Sequence, residues 1–126
     1  MIVMRGDDRV GLDPYFLGIT GRGRIQFGIN AADNSDTWIE APIQTGRWVH
    51  VTATLDATTG AMSLYLDGQL AAYTSTSIRP FADLDPNSNP GLGIGNNNGV
   101  PPTYDYGFKG LIDEVKLFNA VVPPGT

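Results

Sequence analysis

Apolar and polar side chains alternate along much of the chain, most regularly between Thr45 and Gly68. Val49, Val51, Ala53 and Leu55 interleave with Trp48, His50, Thr52 and Thr54, and Met62, Leu64 and Leu66 interleave with Ser63, Tyr65 and Asp67. Period two on both sides of a short gap predicts two antiparallel strands, each with one apolar face. Asp56, Ala57, Thr58, Thr59 and Gly60 form the join, because Asp bonds its own backbone and Gly accepts the positive φ of a tight turn. A lone hairpin is marginal in water, so its aliphatic face must meet a second sheet.

A second hairpin is predicted from Tyr15, Leu17 and Ile19 against Ile25, Phe27 and Ile29 across Gly21-Arg22-Gly23, with Arg24 and Gln26 on the solvent face. Ile2 to Met4 reads as a short apolar strand followed by a loop that begins Arg5-Gly6-Asp7. A short strand starts at Trp38, Ile39 and Glu40, and Pro42 limits it to an edge or an end. Residues 70–74 and the small-residue run 91–95 (GLGIG) are further strands, and residues 77–90 hold too many breakers for regular structure. In residues 108–119 (FKGLIDEVKLFN), Ile112, Val115 and Leu117 cannot share one face, which predicts a bulge near Asp113 and Glu114.

Composition narrows the class to all-β. Sixteen glycines and nine prolines in 126 residues leave no apolar window of helical period that persists for three turns. The length suits one domain, residues 1–126, with one core. Eight basic against thirteen acidic residues give a net charge of −5. That disfavours nucleic acid and anionic membrane surfaces, which both require positive charge. Without cysteine, disulfides and thiolate chemistry are excluded. No run is long enough to insert in a membrane, and the first residues lack the apolar region of a signal peptide, so the sequence is expected to be part of something longer.

The order Trp48, His50-Val51, a strand ending in Asp56, a Thr-Gly turn and then Leu-Tyr-Leu-Asp-Gly resembles the central hairpin of laminin G-like, concanavalin A-like jelly-roll modules. Residues 108–119 resemble the closing strand of the same modules. The resemblance implies a two-sheet antiparallel β-sandwich, and it implies that strands preceding Ile2 in such modules have no counterpart here. One sheet then lacks a strand, and either an exposed apolar groove or a homodimer through the exposed strand edge is expected. It further implies a noncatalytic carbohydrate-binding module of a secreted, bacterial protein that recognises a polysaccharide or glycan. The alternative is a protein-interaction or adhesion domain.

Catalysis is disfavoured by what the chain lacks. Glycosidases hold two carboxylates at a fixed separation, and the acidic motif Glu-x-Asp-x-x-Glu of the enzymatic relatives is absent. Asp113 and Glu114 are adjacent and would point to opposite faces of a strand. His50 is the sole histidine and reads as a structural group. Sugar binding calls for an exposed ring to stack on a pyranose, with amides and carboxylates for its hydroxyls. Trp38, Tyr104 and Tyr106, with Asn96, Asn97, Asn98 and Asp105, are the candidates, whereas Trp48 is assigned to the core. Calcium needs hard oxygen ligands. The resemblance points to Asp113 as the candidate for a structural calcium, with Asp105 as the weaker choice; Thr45 stands where some laminin G modules carry a ligating Asp.

Overall fold

A computed structural model of the chain describes residues 1–6, 13–85, 91–96 and 106–126. Among them are eight strands: β1 (Val3–Gly6), β2 (Tyr15–Ile19), β3 (Arg24–Asn30), β4 (Asp36–Pro42), β5 (Val51–Leu55), β6 (Ala61–Leu66), β7 (Gln69–Ser75) and β8 (Gly91–Ile94). They form two antiparallel sheets, one in the order β4-β3-β2-β1-β8 and the other in the order β5-β6-β7. The chain is an all-β sandwich.

The first sheet grows from the β2–β3 hairpin. Leu17 pairs with Phe27 and Ile19 with Ile25, the register the alternation predicts. Its turn is closed by the Thr20 and Gly23 amides, which donate to the Arg24 and Thr20 carbonyls, and Gly23 adopts φ 69°. β4 then continues the same face, setting Ile39 opposite Phe27 and Ala41 opposite Ile25. It runs for seven residues rather than the short strand expected, because every residue from Arg24 to Asn30 finds a partner in it. β1 also extends past Met4 and takes Arg5 and Gly6 into the ladder.

The core lies where this face meets β6. Ile25, Phe27, Ile29, Ile39 and Ala41 from one sheet pack with Met62 and Leu64 from the other. Ile25, Ile29, Met62 and Leu64 are fully buried, each contributing about 1.5–3 kcal/mol of apolar transfer. Val51, Ala53, Leu55 and Leu66 pack against this cluster while staying half-exposed. The principal contacts between the sheets run from β4 to β6 and β7. A hydrogen bond of 2.7 Å between the Thr37 and Thr76 hydroxyls ties the two layers at one end.

Three expectations require correction. Trp48 is 62% exposed and is not a core residue. It shares parity with His50, Thr52 and Thr54, opposite to Val51, Ala53 and Leu55, so the alternation that turns those three toward the core turns Trp48 outward. Residues 108–119 form no strand among the described residues. Glu114 adopts φ 54°, a left-handed conformation that breaks an extended ladder at the point where the bulge was expected. Val115 consequently stays half-buried and does not join the central cluster.

The β5–β6 turn depends on two residues. Asp56 Oδ1 accepts from the Thr58 and Thr59 amides at 2.8 and 3.2 Å, and the Gly60 amide donates to the Asp56 carbonyl. Gly60 sits at φ 78°, and a Cβ there would lie 2.0 Å from the Thr76 carbonyl oxygen. Gly60→Ala therefore combines left-handed strain of about 1–3 kcal/mol with a backbone clash. The unfolding free energy from urea titration should drop by at least that amount, with an unchanged m-value if the fold is kept.

The carboxyls of Asp67, Asp56 and Asp33 all lie below their ordinary value. For Asp67 the cause is the His50 amide and then the Arg47 guanidinium. For Asp56 it is the Thr58 and Thr59 amides, and for Asp33 the Ser35 hydroxyl and amide. A depressed folded-state value stabilises the fold fully above the unfolded-state value of about 3.9, and that contribution is lost as pH falls through the lower folded value. The thermal midpoint should fall on acidification below about pH 4, and Asp67→Asn should flatten that decline.

Candidate functional site

The inward set of the five-stranded sheet fixes its outward set. With Ile25, Phe27 and Ile29 facing the core, Arg24, Gln26, Gly28 and Asn30 of β3 face away, as do Asp36, Trp38 and Glu40 of β4 and Phe16 of β2. Strand register then aligns Phe16, Gly28 and Trp38 in one row across three strands.

Gly28 supplies the space in that row. A Cβ at this position would lie 2.3 Å from Phe16 Cε1 and 2.4 Å from Cζ, so the Phe16 ring occupies the volume a side chain would need. The ring covers the gap between its own strand and β4, where Trp38 is 52% exposed. Together the two rings make an apolar platform at the β4 edge of the sheet, where Trp38 reaches solvent and Phe16 is half-buried.

Polar groups flank the platform. In the next row toward the β2–β3 turn, Gln26 pairs with Glu40 across β3 and β4, and Arg24 Nε donates to Glu40 Oε1 at 2.5 Å. Both members of this ion pair are about one-third exposed, which leaves them accessible from the face. In the row on the other side, Asn30 pairs with Asp36. Each flanking row lies roughly 7 Å from the aromatic row, two residues along the strand. An aromatic surface with amide, carboxylate and guanidinium groups at that distance suits a sugar ring, which offers an apolar face and equatorial hydroxyls.

The sequence candidates divide between two places. Trp38 belongs to this platform. Asn96 and Tyr106 sit together beyond β8, where the Tyr106 amide donates to Asn96 Oδ1 at 3.0 Å and the Tyr106 ring is exposed. β4 and β8 are opposite edges of the sheet, about 19 Å apart at four strand spacings, so one small ligand does not span both. Asn97, Asn98, Tyr104 and Asp105 lie outside the described residues.

Asp113 is exposed, and its Oδ1 accepts from the Glu114 amide at 2.9 Å. No group of three or more His, Cys, Asp or Glu capable of holding a metal occurs among the described residues. Asp113 offers one carboxylate, and calcium takes six to eight oxygen ligands.

Phe16, Gln26, Glu40 and Arg24 were not among the candidates, although the sequence carries a signal for them. Phe16 stands at the polar parity of its strand, between Tyr15 and Leu17, and Gly28 interrupts β3 where a side chain would otherwise fill the same face. Gly28→Val should displace the Phe16 ring and cost about 1–3 kcal/mol by overpacking. Urea denaturation measures the loss, and an unchanged midpoint would show that the ring does not need that space.

Residues 1–125 match a laminin G model described as the Concanavalin A-like lectin/glucanases superfamily. The searches of curated proteins and of solved structures return no match.

Proposed function

The chain belongs to the concanavalin A-like lectin/glucanase superfamily, and we propose that it is a noncatalytic carbohydrate-binding module that takes a polysaccharide or glycan on the outer face of its five-stranded sheet. The observation that carries this reading is the half-exposed Trp38 ring beside the Phe16 ring, with Gln26, Glu40 and Arg24 in the adjoining row. A pyranose would stack on Trp38, and its hydroxyls would bond to Gln26, Glu40 and Arg24. Affinity rests on one large ring and a few polar groups, so it falls in the micromolar to millimolar range, roughly −8 to −4 kcal/mol.

The same face argues against hydrolysis. Among the described residues of its strands, Asp36 and Glu40 are the two carboxylates, four residues apart on β4. That is about 13 Å along a strand, whereas acid and nucleophile or base stand roughly 5–10 Å apart in glycosidases. Glu40 is further engaged by Arg24.

A protein-binding or adhesive role is the second reading. It is favoured by exposed Leu111, Leu117, Phe118 and Val121 near the C-terminus, an apolar display with no use in sugar recognition.

Retention on a polysaccharide panel, followed by titration calorimetry, tests the first reading. Trp38→Ala should weaken binding on the order of tenfold or more, Gln26→Ala less. Tyr106→Ala and Trp48→Ala, which change rings on other surfaces, should leave it unchanged. A folded chain retained by no polysaccharide, or one that loses binding only with Tyr106→Ala, would overturn the assignment.

A further inference from the structure

The three-stranded sheet ends at β5, which pairs with β6 on one side alone. The β5–β6 ladder extends one residue past each end of the strand, since the Asp67 amide donates to the His50 carbonyl and the Asp56 amide to the Ala61 carbonyl. His50, Thr52, Thr54 and Asp56 therefore direct their backbone groups toward β6. By antiparallel alternation, Val51, Ala53 and Leu55 direct theirs outward. Among the described residues, no backbone hydrogen bond reaches those outward groups. The C-terminal tail touches the strand through the Gly125 amide on Thr52 Oγ1 at 3.4 Å, a contact to a side chain and not to the outward backbone groups.

The other edges carry features that discourage pairing. β4 places Asp36, Glu40 and Pro42 along its length, β8 is four residues with two glycines, and β7 carries an extra residue, Ala71, where its register against β6 shifts. Charge, proline, shortness and irregularity all protect an edge. β5 reads VTATL and has none of them.

We propose that the free edge of β5 is a homodimer interface, with two copies pairing antiparallel about a two-fold axis at Ala53. The seven-residue stretch from His50 to Asp56 is self-complementary in that register. Val51 falls opposite Leu55 of the second copy, Thr52 opposite Thr54, and His50 opposite Asp56. Both apolar pairs lie on the inner face, where Val51 and Leu55 are half-exposed in the single chain. The threonine pairs lie on the outer face, where hydroxyls bond across strands. At each end an imidazole donor meets a carboxylate. The outward amides and carbonyls of Val51, Ala53 and Leu55 form about six hydrogen bonds across the axis, and the two sheets become one of six strands. Trp48, two residues before His50, then packs toward the β5–β6 turn of the second copy. The proposal is independent of the glycan reading, and its failure would leave that reading untouched.

Sedimentation velocity of the full chain, from low micromolar to submillimolar concentration, should show reversible dimerisation. Thr52→Lys combined with Thr54→Lys sets like charges opposite each other at both threonine pairs and should raise the dimer Kd on the order of tenfold or more. Thr52→Lys combined with Thr54→Glu sets opposite charges there and should retain the dimer. Because both variants place charge at the same two half-buried positions, circular dichroism and thermal midpoints serve as the check on folding. Amide exchange by NMR gives a second reading: Val51, Ala53 and Leu55 should gain protection with concentration, while Thr52 and Thr54 are protected throughout. A wild-type chain that stays monomeric, or two double variants that associate equally, would overturn the proposal.

Discussion

Burial of one face of β3 is the constraint on which the rest of the molecule depends. Ile25, Phe27 and Ile29 lie between Leu17 and Ile19 on one side and Ile39 and Ala41 on the other, and Met62 and Leu64 close over them from the second sheet. Because strand side chains alternate strictly, a slip of one residue in either pairing would expose this whole set at once. Register in three strands is thereby fixed, and every outward position is fixed with it.

The outer face inherits its order from that constraint. Phe16, Gly28 and Trp38 share a row because Leu17, Phe27 and Ile39 share the adjoining row on the inside. The polar residues are aligned by the same pairings, which bring Gln26 beside Glu40 and allow Arg24 to reach the Glu40 carboxylate. A platform built on paired strands is held more rigidly than one built on loops, which favours recognition with little ordering cost.

The second sheet is less complete. Val51, Ala53 and Leu55 reach the core yet remain half-exposed, because no strand stands beside β5 among the described residues. Trp48 is outward for a separate reason, its parity. The C-terminal segment does not supply the missing row: Glu114 turns left-handed, and Leu117 and Phe118 remain in solvent. Such an edge, uncharged and regular, is stable in isolation only while nothing pairs with it.

Much of this was legible from residues alone. Alternation identified the β2–β3 and β5–β6 hairpins, the Asp56 to Gly60 turn and the all-β class, because those depend on neighbours in sequence and on turn chemistry. Trp38 was recognisable as a candidate surface ring, since it follows a polar loop at the start of a short strand limited by Pro42. The partners of each strand were decided by tertiary packing. Only the sheet order sets Trp38 apart from Asn96 and Tyr106 and places it beside Phe16, and only the left-handed turn at Glu114 leaves Val115 outside the core. Local periodicity determines which way a side chain points relative to its strand, whereas what it meets depends on residues far away in the chain.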